Sequence, residues 1–125
     1  MNLVDSCGWL EFLADGPNAG FFSKALEDSA RLIVPTICIY EVFRRLLQQV
    51  DRSAALEAVA AMRQAVVIPL TDALALQAAA IGQEMRLPMA DSIVLATARA
   101  CNAIVWTEDV DFRFISRVRY VEKNR

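Results

Sequence analysis

The sequence predicts a three-layer α/β/α sandwich around a central parallel sheet of about five short strands, Rossmann-like in plan. Two observations carry this. Short β-like runs that are apolar without alternation recur along the chain, as expected for strands covered on both faces. Between them lie longer segments with helical spacing of apolar residues. Length and composition agree: 125 residues, 56% hydrophobic and 22% charged, fit one globular domain over residues 1–125 and would make two poor ones. No linker, repeat or low-complexity stretch interrupts the pattern.

Leu3-Val4 ends a first strand. Ser6 is the expected cap of a helix over Cys7–Leu13, and Asp15-Gly16-Pro17 turns the chain into a second helix over Ala19–Asp28. Leu32-Ile33-Val34 forms the next strand, stopped by Pro35. Thr36 then caps a helix whose Ile39, Val42, Phe43, Leu46, Leu47 and Val50 share one stripe. A helix over Arg52–Gln64 leads to the strand Val66-Val67-Ile68. Thr71 caps Asp72–Arg86, and Pro88 suits the first turn of a helix running to about Asn102. That last helix is apolar nearly all round, which predicts deep packing. Ala103–Trp106 and a short run over Val118–Val121 complete the sheet.

Several chemistries are excluded. There is no histidine, so a Ser-His-Asp triad, a His-ligated zinc site and imidazole acid–base pairs are impossible within this chain. Net charge is −2, from 13 Lys+Arg against 15 Asp+Glu, so any contact with nucleic acid must be local. Cys7, Cys38 and Cys101 are far apart and form no C-x-x-C; they read as buried free thiols in a reducing, cytoplasmic setting. The start lacks the basic and apolar regions of a signal peptide, and no stretch approaches the roughly 18 apolar residues of a membrane span.

The acids point somewhere specific. Asp5 follows the first strand, and Asp109 lies just past the fourth. Glu41 is in the second turn of the helix leaving the second strand, and Asp91 is in the first turn of the Pro88 helix among apolar neighbours. Parallel sheets bind ligands at the carboxyl ends of their strands, so four acids from four segments converge there. Each also has an ordinary reading: an i,i+4 pair of Glu41 with Arg45, a helix-terminus charge at Asp91, a cap at Asp5, a turn at Asp109. Together, ionised carboxylates call for a cation, and an oxygen-only set selects Mg²⁺ or Mn²⁺ over zinc. Such an ion binds phosphates and supplies a nucleophile without histidine, which implies phosphodiester hydrolysis, with activity rising toward mildly alkaline pH.

Leu3-Val4-Asp5-Ser6, Tyr40-Glu41, Ala90-Asp91-Ser92-Ile93 and Trp106-Thr107-Glu108-Asp109-Val110-Asp111-Phe112 resemble, in order, the four acidic motifs of PIN-domain ribonucleases. The similarity spans essentially the whole chain and is nearest to the small bacterial VapC-type toxins. The resemblance implies an endoribonuclease with a PIN-like fold, in which Asp5, Glu41 and Asp91 are metal ligands and Asp109 is the fourth acid. It implies hydrogen-bonding roles for Ser6 and Thr107, and it leaves open whether Asp109 or Asp111 faces inward. It further implies an RNA substrate, a VapB-type antitoxin partner and a homodimer; the aromatics Trp9, Phe12, Phe21 and Phe22 are candidates for an interface as well as for the core. Arg44, Arg45 and Arg113, close in sequence to these acids, are candidate phosphate contacts. The competing reading is a non-catalytic PIN-like module that only binds RNA or protein.

Overall fold

A computed structural model describes residues 1–124. Five strands, β1 (Asn2–Val4), β2 (Leu32–Pro35), β3 (Val66–Ile68), β4 (Ile104–Thr107) and β5 (Val118–Tyr120), form one sheet in the order β3-β2-β1-β4-β5. Every neighbouring pair is parallel. Six helices flank it: α1 (Ser6–Leu13), α2 (Ala19–Leu26), α3 (Thr36–Gln49), α4 (Arg52–Met62), α5 (Asp72–Met85) and α6 (Met89–Ala100). The expected sandwich is therefore observed.

The burial of the strands follows their place in the sheet. β2 is buried throughout, and Leu3, Val4, Val105 and Trp106 of the central pair are buried too, whereas edge strands β3 and β5 are half-buried at best. The apolar runs of β1, β2 and β4 thus belong to strands covered on both faces, whereas Val66-Val67-Ile68, expected to be covered likewise, forms an edge strand with Val66 exposed. Helix α6 is buried at every position from Asp91 to Ala98, as its all-round apolar sequence requires. Trp9 and Phe22 enter the main core, and Phe21 stacks on Phe22 and Trp106 at ring-centre distances of 5.0 and 5.1 Å.

Several helix ends differ from expectation. The cap of α1 is Asp5, not Ser6: Asp5 is extended (φ −63°, ψ 159°) and its carboxylate accepts the Ser6 N–H, so the helix starts one residue early. Pro35 rather than Thr36 precedes the first turn of α3, and the Thr36 hydroxyl instead accepts the Leu70 N–H at 3.2 Å. Pro88 caps α6 from outside its first turn. Thr71 caps α5 as expected, accepting from Leu74 N–H. α2 ends at Leu26, because a 3₁₀ turn over Ser29–Arg31 leads into β2. Leu47 and Val50 are exposed although their spacing put them on the core stripe of α3; Cys38 and Val42 carry the buried face.

The strand order matters for function. The chain runs outward from β1 through β2 to β3, then crosses back to place β4 on the other side of β1. The order reverses between β1 and β4, and a crevice opens outside the carboxyl ends of strands at such a point.

Candidate metal centre

Register alone brings the first two site residues together. Val4 is paired with Trp106, so Asp5 and Thr107 leave adjacent strands at the same level. The Asp5 N–H donates to the Trp106 carbonyl at 3.0 Å. The Thr107 hydroxyl, fully buried, donates to Asp5 Oδ2 at 3.1 Å and accepts the Asp109 N–H at 2.9 Å. One hydroxyl therefore fixes two acids. Asp5 Oδ1 accepts the Ser6 N–H at 2.8 Å, so the carboxylate is held on both oxygens.

Asp109 caps the 3₁₀ turn Val110–Phe112 through its Oδ1, which accepts the Asp111 N–H at 2.9 Å. That turn separates the two acids left open by sequence: Asp109 is half-buried beside Asp5 and Asp91, and Asp111 is exposed. Asp91, 9% exposed, reaches the same point from the first turn of α6. Carboxylate oxygens of Asp5, Asp91 and Asp109 all lie within 4.8 Å of one another. Glu41 stands on the other side of Asp5, within the same limit of Asp5 and of the Cys38 thiol. The four acids converge as expected, with Asp5 at the centre.

Among the described residues no Lys or Arg forms a salt bridge with any of the four. The one salt bridge joins Arg31 to Asp28 at 3.9 Å, and Arg45 acts on Glu41 only from beyond that distance. Burial therefore pushes the Asp5 carboxyl up, and the Asp109 charge adds to it, against the hydrogen bonds from Ser6 and Thr107. Burial and then the Asp109 charge drive Asp91 from an ordinary value near 3.8 to about 8. Glu41 is raised by burial first, then by Asp5 and Asp109, with the Ser6 hydroxyl and Arg45 opposing. Metal-free, the site favours bound protons. An oxygen-rich set of this size has the chemistry to hold a hard divalent cation.

The supporting residues divide. Ser6 and Thr107 lie within the site. Arg44 and Arg45 are exposed and line a recess of about 150 Å³ together with Tyr40 and Glu41. Arg113 is exposed, its guanidinium 5.3 Å from the Phe114 ring centre and 6.0 Å from that of Tyr120.

Two thiols belong here that sequence reasoning treated only as core. Cys7 Sγ lies 3.6 Å from Asp5 Oδ2 and 3.4 Å from Thr107 Oγ1. Cys38 precedes Glu41 by three residues on α3, so helical spacing puts both on one face; that spacing was the available signal. Burial raises both thiols, and the Asp5 charge adds to each, so neither is a ready nucleophile. Also unforeseen is the buried pair Asn18–Glu108, in which the amide donates to the carboxylate at 3.0 Å and to the Glu122 carbonyl at 3.1 Å.

Comparison with known proteins agrees with this geometry. A toxin–antitoxin complex from Klebsiella pneumoniae contains a chain that superposes with a TM-score of 0.78 at 23% identity, covering 95% of this chain and 96% of that one. VapC20 of Mycobacterium tuberculosis, described as a sarcin–ricin-loop-cleaving toxin, superposes at 0.76 with 20% identity over all of both chains. DNA-bound VapBC from Salmonella typhimurium gives 0.73 at 14% identity over 98% of each. No curated protein sequence matches. No helix among the described residues is long and apolar enough to cross a membrane. The PIN domain family model matches residues 3–118, a span that takes in all four acids, strands β2 to β4 and most of β1, and the chain therefore belongs to the PIN domain family.

Proposed function

We propose that this protein is a Mg²⁺- or Mn²⁺-dependent endoribonuclease, the toxin of a type II toxin–antitoxin pair, acting as a single PIN-like domain in the cytoplasm. The observation that carries the reading is the cluster of Asp5, Asp91 and Asp109 oxygens within 4.8 Å, two of the acids buried and one half-buried, with no salt bridge to any of them among the described residues. The all-carboxylate donor set fits a hard divalent ion, which Asp5, Asp91 and Asp109 would hold with Glu41 beside them. When bound, such an ion lowers the pKa of water and offsets charge building on the phosphate.

The chain's own residues do the rest. Ser6 N–H and the Thr107 hydroxyl hold the Asp5 carboxylate in one orientation, and Thr107 sets the backbone of Asp109 at the same time. Glu41, beside Asp5, would hold the metal or orient the attacking water, whose oxygen bonds to phosphorus as the bond to the leaving oxygen breaks, with the water's proton released to solvent and the leaving oxygen protonated from it. Arg44 and Arg45, on the exposed turn beside Glu41, contact flanking phosphates. Likeness to toxin–antitoxin complexes supports a VapB-type antitoxin as partner, and the homodimer is carried over from the family resemblance alone.

The test is to incubate the purified protein with structured RNAs in Mg²⁺ or Mn²⁺ buffer. Cleavage that needs the metal and disappears in Asp5→Asn is expected. Equal cutting by both proteins overturns the assignment.

A further inference from the structure

We infer that Phe114 is a base-stacking platform, and that the edge of the sheet carrying it docks an unpaired segment of RNA beside the acidic cluster. The inference rests on the ribonuclease reading for its choice of ligand, and on separate observations for its location.

Phe114 is 92% exposed, the most exposed of the large apolar side chains. It lies two residues past the 3₁₀ turn that Asp109 caps, just after Arg113. It is not an isolated surface residue. The Arg113 guanidinium lies 5.3 Å from its ring centre and 6.0 Å from that of Tyr120. Tyr120, on edge strand β5, lines a groove of about 510 Å³ with Val110, Cys7 and Lys123 beside the acids Glu108, Asp109 and Glu122, so the groove's own walls are acidic and the cations that could meet phosphates stand at its rim. An aromatic–arginine–aromatic chain thus runs from the site acid's groove to Phe114, whose solvent-facing surface is open.

Charge selects the ligand. The chain as a whole is acidic, at −2. Residues 113–124 reverse that, with Arg113, Arg117, Arg119 and Lys123 exposed against Glu122 alone; Arg117 turns to the amino end of the sheet, where it donates to the Asn102 carbonyl at 3.2 Å, which leaves Arg113, Arg119 and Lys123 for this edge. Arg119 packs over the Trp106 ring at 5.0 Å, which aligns it along the same edge. A local basic strip with an exposed aromatic fits a polyanion whose flat groups are free to stack. Base–aromatic stacking has that chemistry and needs an unpaired base, and phosphates take the arginines. A groove of this volume is in the range of ligand clefts, about 300–1,000 Å³.

The experiment measures anisotropy of a fluorescein-labelled single-stranded RNA oligonucleotide in EDTA, where no metal-dependent cleavage proceeds. Phe114→Ala is expected to weaken binding roughly 5- to 150-fold. Its melting temperature should match wild type, because the side chain is exposed. Phe114→Trp should restore affinity, and Phe114→Leu, equally apolar but without a ring face, should not. Arg113→Gln should lower the log–log salt slope by about 0.7, the share of one single-strand phosphate contact, and Phe114→Ala should leave the slope unchanged. The same sequence annealed into a duplex should bind more weakly than the single strand. Unchanged affinity in Phe114→Ala, or full affinity in Phe114→Leu, overturns the proposal. So does unchanged RNA affinity with a shift from dimer to monomer in sedimentation, which would make Phe114 a contact between copies of the chain. Cleavage of the same RNA in Mn²⁺ is scored separately. Binding that depends on Phe114 without cleavage would retain this docking surface and remove the nuclease reading; cleavage unaffected by Phe114→Ala would do the reverse.

Discussion

Thr107 shows how much a single side chain settles. Its hydroxyl bonds both the Asp5 carboxylate and the Asp109 N–H, and it is completely buried. Thr107→Val keeps the shape and removes the hydroxyl, leaving the Asp109 N–H without that acceptor. We expect metal affinity to fall about 10–100-fold, as for loss of a group that orients a ligand, with about 1–3 kcal/mol of stability lost. Mn²⁺ calorimetry and urea unfolding check the two halves. Asp91→Asn behaves differently. It should cut metal-dependent cleavage at least about 100-fold, since several kcal/mol of charge stabilisation are removed. Yet in metal-free buffer at pH 8 it should not lose stability, because it removes one member of a repelling trio. At this scale the sequence is legible where chemistry is unusual. Asp91 among Met89, Ala90, Ile93 and Val94 stands out because a buried acid needs a partner. Cys7 and Cys38 do not stand out, since a thiol beside a carboxylate and a thiol in a core look alike in one dimension.

At the scale of elements, the close approach of α1 to the sheet depends on Gly8. A Cβ there would meet the Phe22 ring and the Val4 side chain, each at 2.6 Å. Both neighbours are fully buried, so neither can swing away. Gly8→Ala should cost about 1–3 kcal/mol by overpacking, read as a lower urea midpoint with an unchanged m-value. It should also reduce activity beyond what stability explains, because Asp5 caps α1. Strands and helices were legible because apolar runs and helical stripes are local signals. Caps were less so. Asp5 and Ser6 are both good cap residues, and only the β1–β4 register, which is not local, decides that Asp5 takes the extended position. Likewise nothing in Thr36 alone reveals that Leu70, 34 residues away, will claim its hydroxyl. Leu47 and Val50 followed the helical stripe but stay exposed, and α3 ends at Gln49, so Val50 lies just past the helix whose spacing predicted its burial.

For the whole molecule, the acidic centre links folding to pH. Asp91 binds its proton up to about pH 8 in the folded chain, against an ordinary value near 3.8. The raised value means that its contribution to stability is fully present below about pH 4. It is lost progressively as pH rises toward 8, because the unfolded chain ionises first. Asp5 and Glu41, also raised, act in the same direction. Metal-free protein should therefore melt at steadily lower temperature from pH 5.5 to 8. Saturating Mn²⁺ should counter this, since protons and the cation compete for the same oxygens. At a hundredfold excess over Kd the gain is about 2.7 kcal/mol, or roughly 10 °C for a chain of this size. Differential scanning fluorimetry across that range checks it: the Mn²⁺ gain should grow with pH, and a constant gain would place the cation elsewhere. The lack of histidine sharpens the reading, because no imidazole contributes to a slope near pH 6.5.

The most direct test of a carboxylate-built cation centre is the number of protons released when Mn²⁺ binds. Isothermal titration calorimetry at pH 7 in buffers of different ionisation enthalpy gives that number. Release of about one proton per ion by wild type is expected, because Asp91 is largely protonated there before the cation arrives. Release should fall sharply, together with affinity, in Asp91→Asn. Binding of equal strength in both proteins, or binding by wild type without proton release, would contradict the account.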